Sequence, residues 1–224
     1  MTATTDAISW LKATFGSKID KAIKGTPFSR DLVVAIAMQE TSYIWIPHYK
    51  KKSADEILAL CVGDTIDKPS RKAFPRDRAD LESAPDGKKM FEIARASLEL
   101  IATIDKSYAK VAKNKNKFCH GFGMFQYDIQ FFKKVDPDWF LKRRWTTFDG
   151  TVGKCVSELQ DKLKVVYGAK KKSLDHDESV YVAIAYNKGS ANTKKGFKQG
   201  FRNSEGKYYG EMIDRFLTLA EKTP

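Results

Sequence analysis

The chain has 224 residues, 42% hydrophobic and 30% charged, a mixture that builds a buried core and excludes a disordered or fibrous polypeptide. Its 40 Lys and Arg outnumber 28 Asp and Glu, and the formal charge of +12 points either to an anionic partner (nucleic acid, a membrane surface, or an envelope rich in phosphate and carboxylate) or, on the plainer reading, to a solvated basic face. Cys61, Cys119 and Cys155 form no Cys-x-x-Cys pair, and no histidine has a second ligand at helical spacing, which argues against a disulfide framework, a zinc knuckle or any metal site.

The opening "MTATTDAISWLKATFG" lacks a basic segment followed by a long apolar run, and no later stretch is apolar enough to span a bilayer. The expectation is a chain made in the cytoplasm without a signal peptide. Residues 6–24 read as an amphipathic helix through Ile8, Leu11, Phe15, Ile19 and Ile23. "TPFSRD" then offers Thr26 or Ser29 as a cap and Pro27 as a first-turn residue for the next helix.

That helix contains "VVAIAMQETSY", residues 33–43, which runs apolar for six positions before Gln39 and Glu40. On a helix Glu40 shares its face with Ile36, Ala37, Tyr43 and Ile44. A carboxyl held against such a stripe loses hydration, and because only the charged form suffers, its pKa rises. It can then keep a proton near neutrality and hand it to a leaving oxygen, the task of the general acid in glycosidic cleavage. The plain alternative is that Glu40 ends the buried part of the helix and points at water.

A short helix at 54–61 precedes the longest irregular stretch, 62–87, which holds three of the seven prolines and the candidate carboxylates Asp64, Asp67 and Asp77. A loop of that length in a compact domain is usually functional or mobile. A long helix is expected from Lys88 to Lys113, followed by the basic turn "KNKNKF" and by "GFGMFQYD", where Gly121 and Gly123 allow close backbone approach ahead of Gln126, Tyr127 and Asp128. Helical patterns return at 151–167, 177–187 and 205–221, and in "AIAYNKG" a buried helix ends at Tyr186 and Asn187 with Gly189 as its C-terminal cap. The expected fold class is all-α: one domain over 1–224, of about seven to nine helices with a long irregular loop.

In order, "QET", "GMFQ" and "AYNKG" resemble the signature of the lysozyme-like lytic transglycosylases and goose-type lysozymes, all-α enzymes that cut peptidoglycan glycan strands. The Ala-Tyr-Asn-x-Gly element stands intact at Ala185 to Gly189. The Gly-Leu-Met-Gln element is altered to Gly123, Met124, Phe125, Gln126, and the catalytic Glu-Ser element to Glu40 followed by Thr41.

The resemblance implies cleavage of β-1,4 bonds between N-acetylmuramic acid and N-acetylglucosamine by a monomer that needs no cofactor or metal. Glu40 would be general acid and then base, Gln126 would hold sugar or the glutamate's surroundings, Tyr186 would place its hydroxyl near the Glu40 carboxyl, and Asn187 would support substrate or backbone. Apart from the resemblance, sugar rings stack on aromatic faces, and among the aromatics beside the site Tyr127 is a candidate substrate contact, although most of these rings must be core. The 6-hydroxyl of the sugar can close an anhydro ring with one carboxylate alone, whereas an inverting hydrolase needs a second at about 6.5–9.5 Å. Asp64 lies close to where goose-type lysozymes carry a water-positioning aspartate and is the expected second carboxylate, with Asp67, Asp77 and Asp128 as rivals.

The expected partners are a peptidoglycan strand and an anionic envelope, with no nucleic acid and no membrane span, and delivery to the wall by a phage lysis system or a secretion machine. A chitinase of the same fold is the close alternative. From another class, the mixture of aromatics and lysines suits a nucleic-acid-binding module without catalysis. Cys119 beside His120 raises a thiol nucleophile, against the plainer reading of Cys119 as a small apolar group.

Overall fold

The computed structural model describes residues 2–224, and the fold is mostly α. In chain order the elements are α1 (Ala3–Ile23), α2 (Arg30–Trp45), α3 (Ala54–Leu60), β1 (Val62–Gly63), α4 (Arg78–Glu82), α5 (Gly87–Ala102), α6 (Lys106–Ala112), β2 (Gly121–Phe122), β3 (Tyr127–Asp128), α7 (Pro137–Leu141), α8 (Phe148–Tyr167), α9 (His176–Lys188) and α10 (Tyr209–Lys222). Single 3-10 turns occupy Ile129–Phe131 and Arg144–Thr146.

The described residues thus hold ten α-helices where seven to nine were expected. The additional ones are short: α4 and α7 have five residues each and α6 seven, too few for apolar periodicity to show. The helix expected over Lys88 to Lys113 is two, because the Asp105 carboxylate accepts from the backbone N–H of Ser107 and Tyr108 and starts α6 afresh. The strands were also illegible, since two-residue segments carry no period of two.

By their contacts the described residues fall into two compact units. One comprises the segments up to Ser42 and Val152–Pro224; the other is Tyr43–Thr151.

In the first unit α1 begins at a capping box between Thr2 and Thr5 and buries Ile8, Leu11, Phe15 and Ile19. Ser29 is the residue that caps α2, its hydroxyl accepting from the Leu32 amide at 3.1 Å, while Thr26 instead bonds back to the Ile23 carbonyl. Every residue from Leu32 to Met38 is buried, so this part of α2 is apolar all round, the pattern of a helix enclosed by its neighbours. The buried run Val182–Ala185 of α9 has the same character, whereas α10 is one-sided, burying Tyr209, Ile213, Leu217 and Ala220. Lys12 crosses between elements, its ammonium 2.7 Å from the Asp31 carboxylate and 2.7 Å from the Ala220 carbonyl at the end of α10.

In the second unit the three strands form an antiparallel sheet ordered β1-β2-β3, with Val62 opposite Phe122 and Phe122 opposite Tyr127. Its core is aromatic: Phe118, Phe122, Phe132, Trp139, Phe140 and Trp145 are buried together. In the irregular stretch after β1, Arg71 gathers several groups at once. The Arg71 guanidinium, 8% exposed, binds Asp128 through two bonds of 2.7 and 3.1 Å and donates to the carbonyls of Phe74 and Pro75. A planar fork with five donors can hold a loop in this way where an ammonium cannot.

Candidate functional site

The candidate acid lies near the end of α2, in the first unit. Glu40 is partly buried, and its Oε1 accepts a hydrogen bond of 2.7 Å from the hydroxyl of Tyr209, the first residue of α10. Burial pushes the Glu40 pKa up to about 7; the Tyr209 bond opposes that rise by stabilising the anion, and the negative charge of Glu158 on α8 adds to it. Tyr209 itself is held well above its ordinary value by burial and by Glu40, so its hydroxyl stays protonated and acts as a donor. Near neutral pH both forms of Glu40 are populated, which suits a group that must first give and then take a proton.

The "AYNKG" residues lie in the same unit. Tyr186 shares the electrostatic surroundings of Glu40, Glu158, Cys155 and Tyr209, and burial pushes its hydroxyl far up as well. The hydroxyl that donates to Glu40, however, is that of Tyr209. Asn187 is exposed, and its Oδ1 accepts from the Phe201 amide at 2.9 Å. The Phe201 carbonyl in turn accepts from the Tyr209 amide at 2.7 Å, and the Gln199 carbonyl from the Gly210 amide at 3.1 Å. Asn187 therefore acts on backbone, anchoring the loop that sets the start of α10. Gly189, at φ +90°, caps α9 with its amide 2.7 Å from the Ala185 carbonyl, as expected of that position.

Gly200 shows why a glycine is required in this anchor. It has φ +86°, and a Cβ there would lie 2.7 Å from Tyr209 Cβ and 2.9 Å from Asn187 Oδ1. Thr41, where the resembled family has serine, is buried with its hydroxyl 3.3 Å from the Ala37 carbonyl, one turn back on the same helix.

The other predicted site residues belong to the second unit. Gln126 sits between β2 and β3 at φ +51°, with Nε2 donating 3.0 Å to the Gly123 carbonyl. Its Oε1 occupies the space above Gly121, 2.3 Å from where a Cβ would stand, which explains the glycine in "GFG". Tyr127, assigned to substrate contact, is a core residue instead: 6% exposed, parallel to Phe131 and Phe140 and edge-on to Trp139. Every inward position of so small a sheet must fill the core, and Tyr127 is paired with the buried Phe122.

Asp64 is in the left-handed region at φ +48°; its Oδ1 accepts from the Ile66 amide at 3.0 Å and its Oδ2 lies 3.4 Å from Arg71. Burial raises its pKa, against the hydrogen bond from Ile66 and the Arg71 charge, which lower it. Asp77 caps α4 through the Asp80 amide and Asp128 is clamped by Arg71, so each of these rivals has a structural task.

Asp67 pairs with Lys117 at 2.8 Å and lies 3.5 Å from the fully buried His120. Burial, with the nearby Arg71 charge, lowers the His120 pKa to about 3, and burial pushes the Cys119 thiol far up. A protonated thiol beside such an imidazole is the reverse of an activated nucleophile, and Cys119 is a buried member of the apolar cluster. All three cysteines are free and buried.

Sequence reasoning missed Tyr209, Glu158 and Arg71. Tyr209 stands in "GKYYGEM", a pattern that reads only as a helix start, and Glu158 looks like one more polar position on α8. Among the described residues no group of three or more His, Cys, Asp or Glu is placed to hold a metal ion, and no helix is long and apolar enough to cross a membrane. No protein-family model, curated protein or solved structure matches the chain.

Proposed function

We propose that this protein is a glycosidase that cleaves the β-1,4 bonds between N-acetylmuramic acid and N-acetylglucosamine in peptidoglycan, with Glu40 as the acid and then the base. The observation that carries the reading is the Glu40 carboxyl itself, kept protonated up to about pH 7 by burial while a tyrosine hydroxyl fixes its orientation. Protonated Glu40 gives its proton to the bridging oxygen as the bond from that oxygen to the sugar's anomeric carbon breaks. The Glu40 carboxylate then removes a proton from the oxygen that attacks the anomeric carbon. The 2.7 Å bond from Tyr209 strengthens as charge builds on Glu40, so it favours the step in which the proton leaves.

In this reading Glu158 adds negative charge beside Glu40, Tyr186 shares the same buried surroundings, and Asn187 supports the backbone. When the sugar's own 6-hydroxyl attacks, Glu40 suffices and the product carries an anhydro end. In a hydrolytic course a second carboxylate activates water and the product carries a reducing end. The charge of +12 concentrates the protein on an anionic wall.

The test is release of soluble fragments from purified peptidoglycan, with product ends identified by mass spectrometry. Glu40→Gln is expected to lower the rate at least ~100-fold, the scale of a general acid's contribution, while circular dichroism stays unchanged. Undiminished release by Glu40→Gln, or no release by the parent, refutes the proposal.

A further inference from the structure

The segment between α9 and α10, residues 189–208, has no helix or extended strand, yet it is built rather than loose. Gln199, buried inside it, donates through Nε2 to the carbonyls of Asn192 (2.9 Å) and Gly196 (2.7 Å) and accepts through Oε1 from the Asn192 amide (2.9 Å). Arg202 donates to the Gly206 carbonyl at 3.0 Å and lies over the Tyr208 ring, closing the second half of the segment. Phe201 is held on both sides of its backbone, by Asn187 and by Tyr209, while its side chain is 63% exposed.

The segment carries five Lys or Arg against one acid, Glu205. Lys194, Lys195, Lys198 and Lys207 are exposed and ion-paired to nothing among the described residues, unlike Lys12, Lys117 and Lys171, which sit on carboxylates. Ordered backbone, clustered unpaired ammonium groups and a large apolar side chain standing in water describe a recognition surface better than a solvated turn. The surface is also continuous with the proposed acid, since Phe201 is bonded to the residue that donates to Glu40.

We infer that the 189–208 segment binds the carboxylate-bearing strand of peptidoglycan, Phe201 covering the apolar face of a sugar ring and Lys194, Lys195 and Lys198 pairing with lactyl and stem-peptide carboxylates. The identity of the occupant rests on the glycosidase reading above. Charge complementarity selects it over chitin, which has the same N-acetylglucosamine unit and no carboxylate for the lysines to meet. An aromatic with a rigid backbone loses little entropy on contact, which makes Phe201 the anchor and the lysines the discriminating groups.

The test is co-sedimentation of the full chain, in a Glu40→Gln background that keeps the polymer whole, with insoluble peptidoglycan and with colloidal chitin. The Lys194→Gln, Lys195→Gln, Lys198→Gln triple variant is expected to bind peptidoglycan about tenfold more weakly, with a shallower salt dependence and unchanged affinity for chitin. Phe201→Ala is expected to weaken both.

Unchanged peptidoglycan affinity in the triple variant overturns the inference, and Glu40-dependent cleavage by the parent would leave the proposed function standing. If instead the parent cleaves nothing but the triple variant still loses peptidoglycan binding, the surface is upheld and the glycosidase reading fails. A triple variant that loses binding only to phosphatidylglycerol vesicles and keeps its hold on peptidoglycan also overturns the inference, in favour of a lipid surface.

Discussion

The hydroxyl of Tyr209 and the carboxyl of Glu40, 169 positions apart in the chain, meet in a 2.7 Å hydrogen bond at a partly buried site. The tyrosine holds the anion, whereas burial and Glu158 favour the neutral acid, and the balance leaves the group titrating at about 7. Removing one contributor should shift that balance in a known direction.

For Tyr209→Phe, the lost contributor is the one that lowers the Glu40 pKa. Carbon-detected carboxyl titration should therefore show Glu40 moving above 7, with the alkaline limb of the pH–rate profile moving the same way. A variant that merely loosened the fold would let water in and move the titration down.

The same carboxyl links stability to pH. A glutamate in the unfolded chain titrates near 4.5, so between about 4.5 and 7 the folded state binds more protons than the unfolded one. Stability from this group is fully present below about 4.5 and falls as pH rises to about 7, by on the order of 2 kcal/mol once partial exposure is allowed for. Urea denaturation at a series of pH values should show this decline in the parent, and Glu40→Gln should remove it.

His176 gives a second titration, at the start of α9. Its Nε2 lies 2.8 Å from Asp214 and its Nδ1 3.1 Å from Glu221, both on α10; burial lowers its pKa, and the two carboxylates more than offset that. The folded value is raised, so the stabilisation is complete below the unfolded value of about 6.5 and is lost as pH rises through the folded one. His176→Gln should destabilise by about 1 kcal/mol at pH 5.5 and by markedly less at pH 8.5, as read from denaturation midpoints.

Gly210, the second residue of α10, tests the anchoring of Tyr209. A Cβ at this position would lie 2.4 Å from the Phe197 carbonyl and 2.6 Å from Ile184 Cδ1, so Gly210→Ala must displace backbone. Overpacking of this kind costs about 1–3 kcal/mol. The expected outcome is a lower thermal midpoint together with a shifted Glu40 titration, because the strain falls on the residue next to the donor.

Asn187→Ala separates support from chemistry. It removes the acceptor of the Phe201 amide without touching Glu40, so activity should fall about tenfold or less while the pH dependence keeps the parent's shape. Asn187→Asp, which keeps the acceptor oxygen, should recover part of the loss.

Much of this protein was legible along the chain, because local spacing and capping chemistry act within one turn. The buried run 32–38, the cap at Ser29 and the αL residue Gly189 all follow from residues that touch their own neighbours in sequence. The break at Asp105 was written there too, in a capping residue ahead of Ser107 that the apolar periodicity on either side concealed.

What tertiary structure alone decided is which distant groups meet. Tyr209 rather than Tyr186 donates to Glu40, Glu158 adds the negative charge nearby, Arg71 gathers Asp64 and Asp128, and Tyr127 disappears into an aromatic core. Desolvation and Coulomb forces depend on distance in space, and no period in the sequence encodes it; so residue order could mark Glu40 as a carboxyl in apolar company, and only the packed helices determine where it titrates.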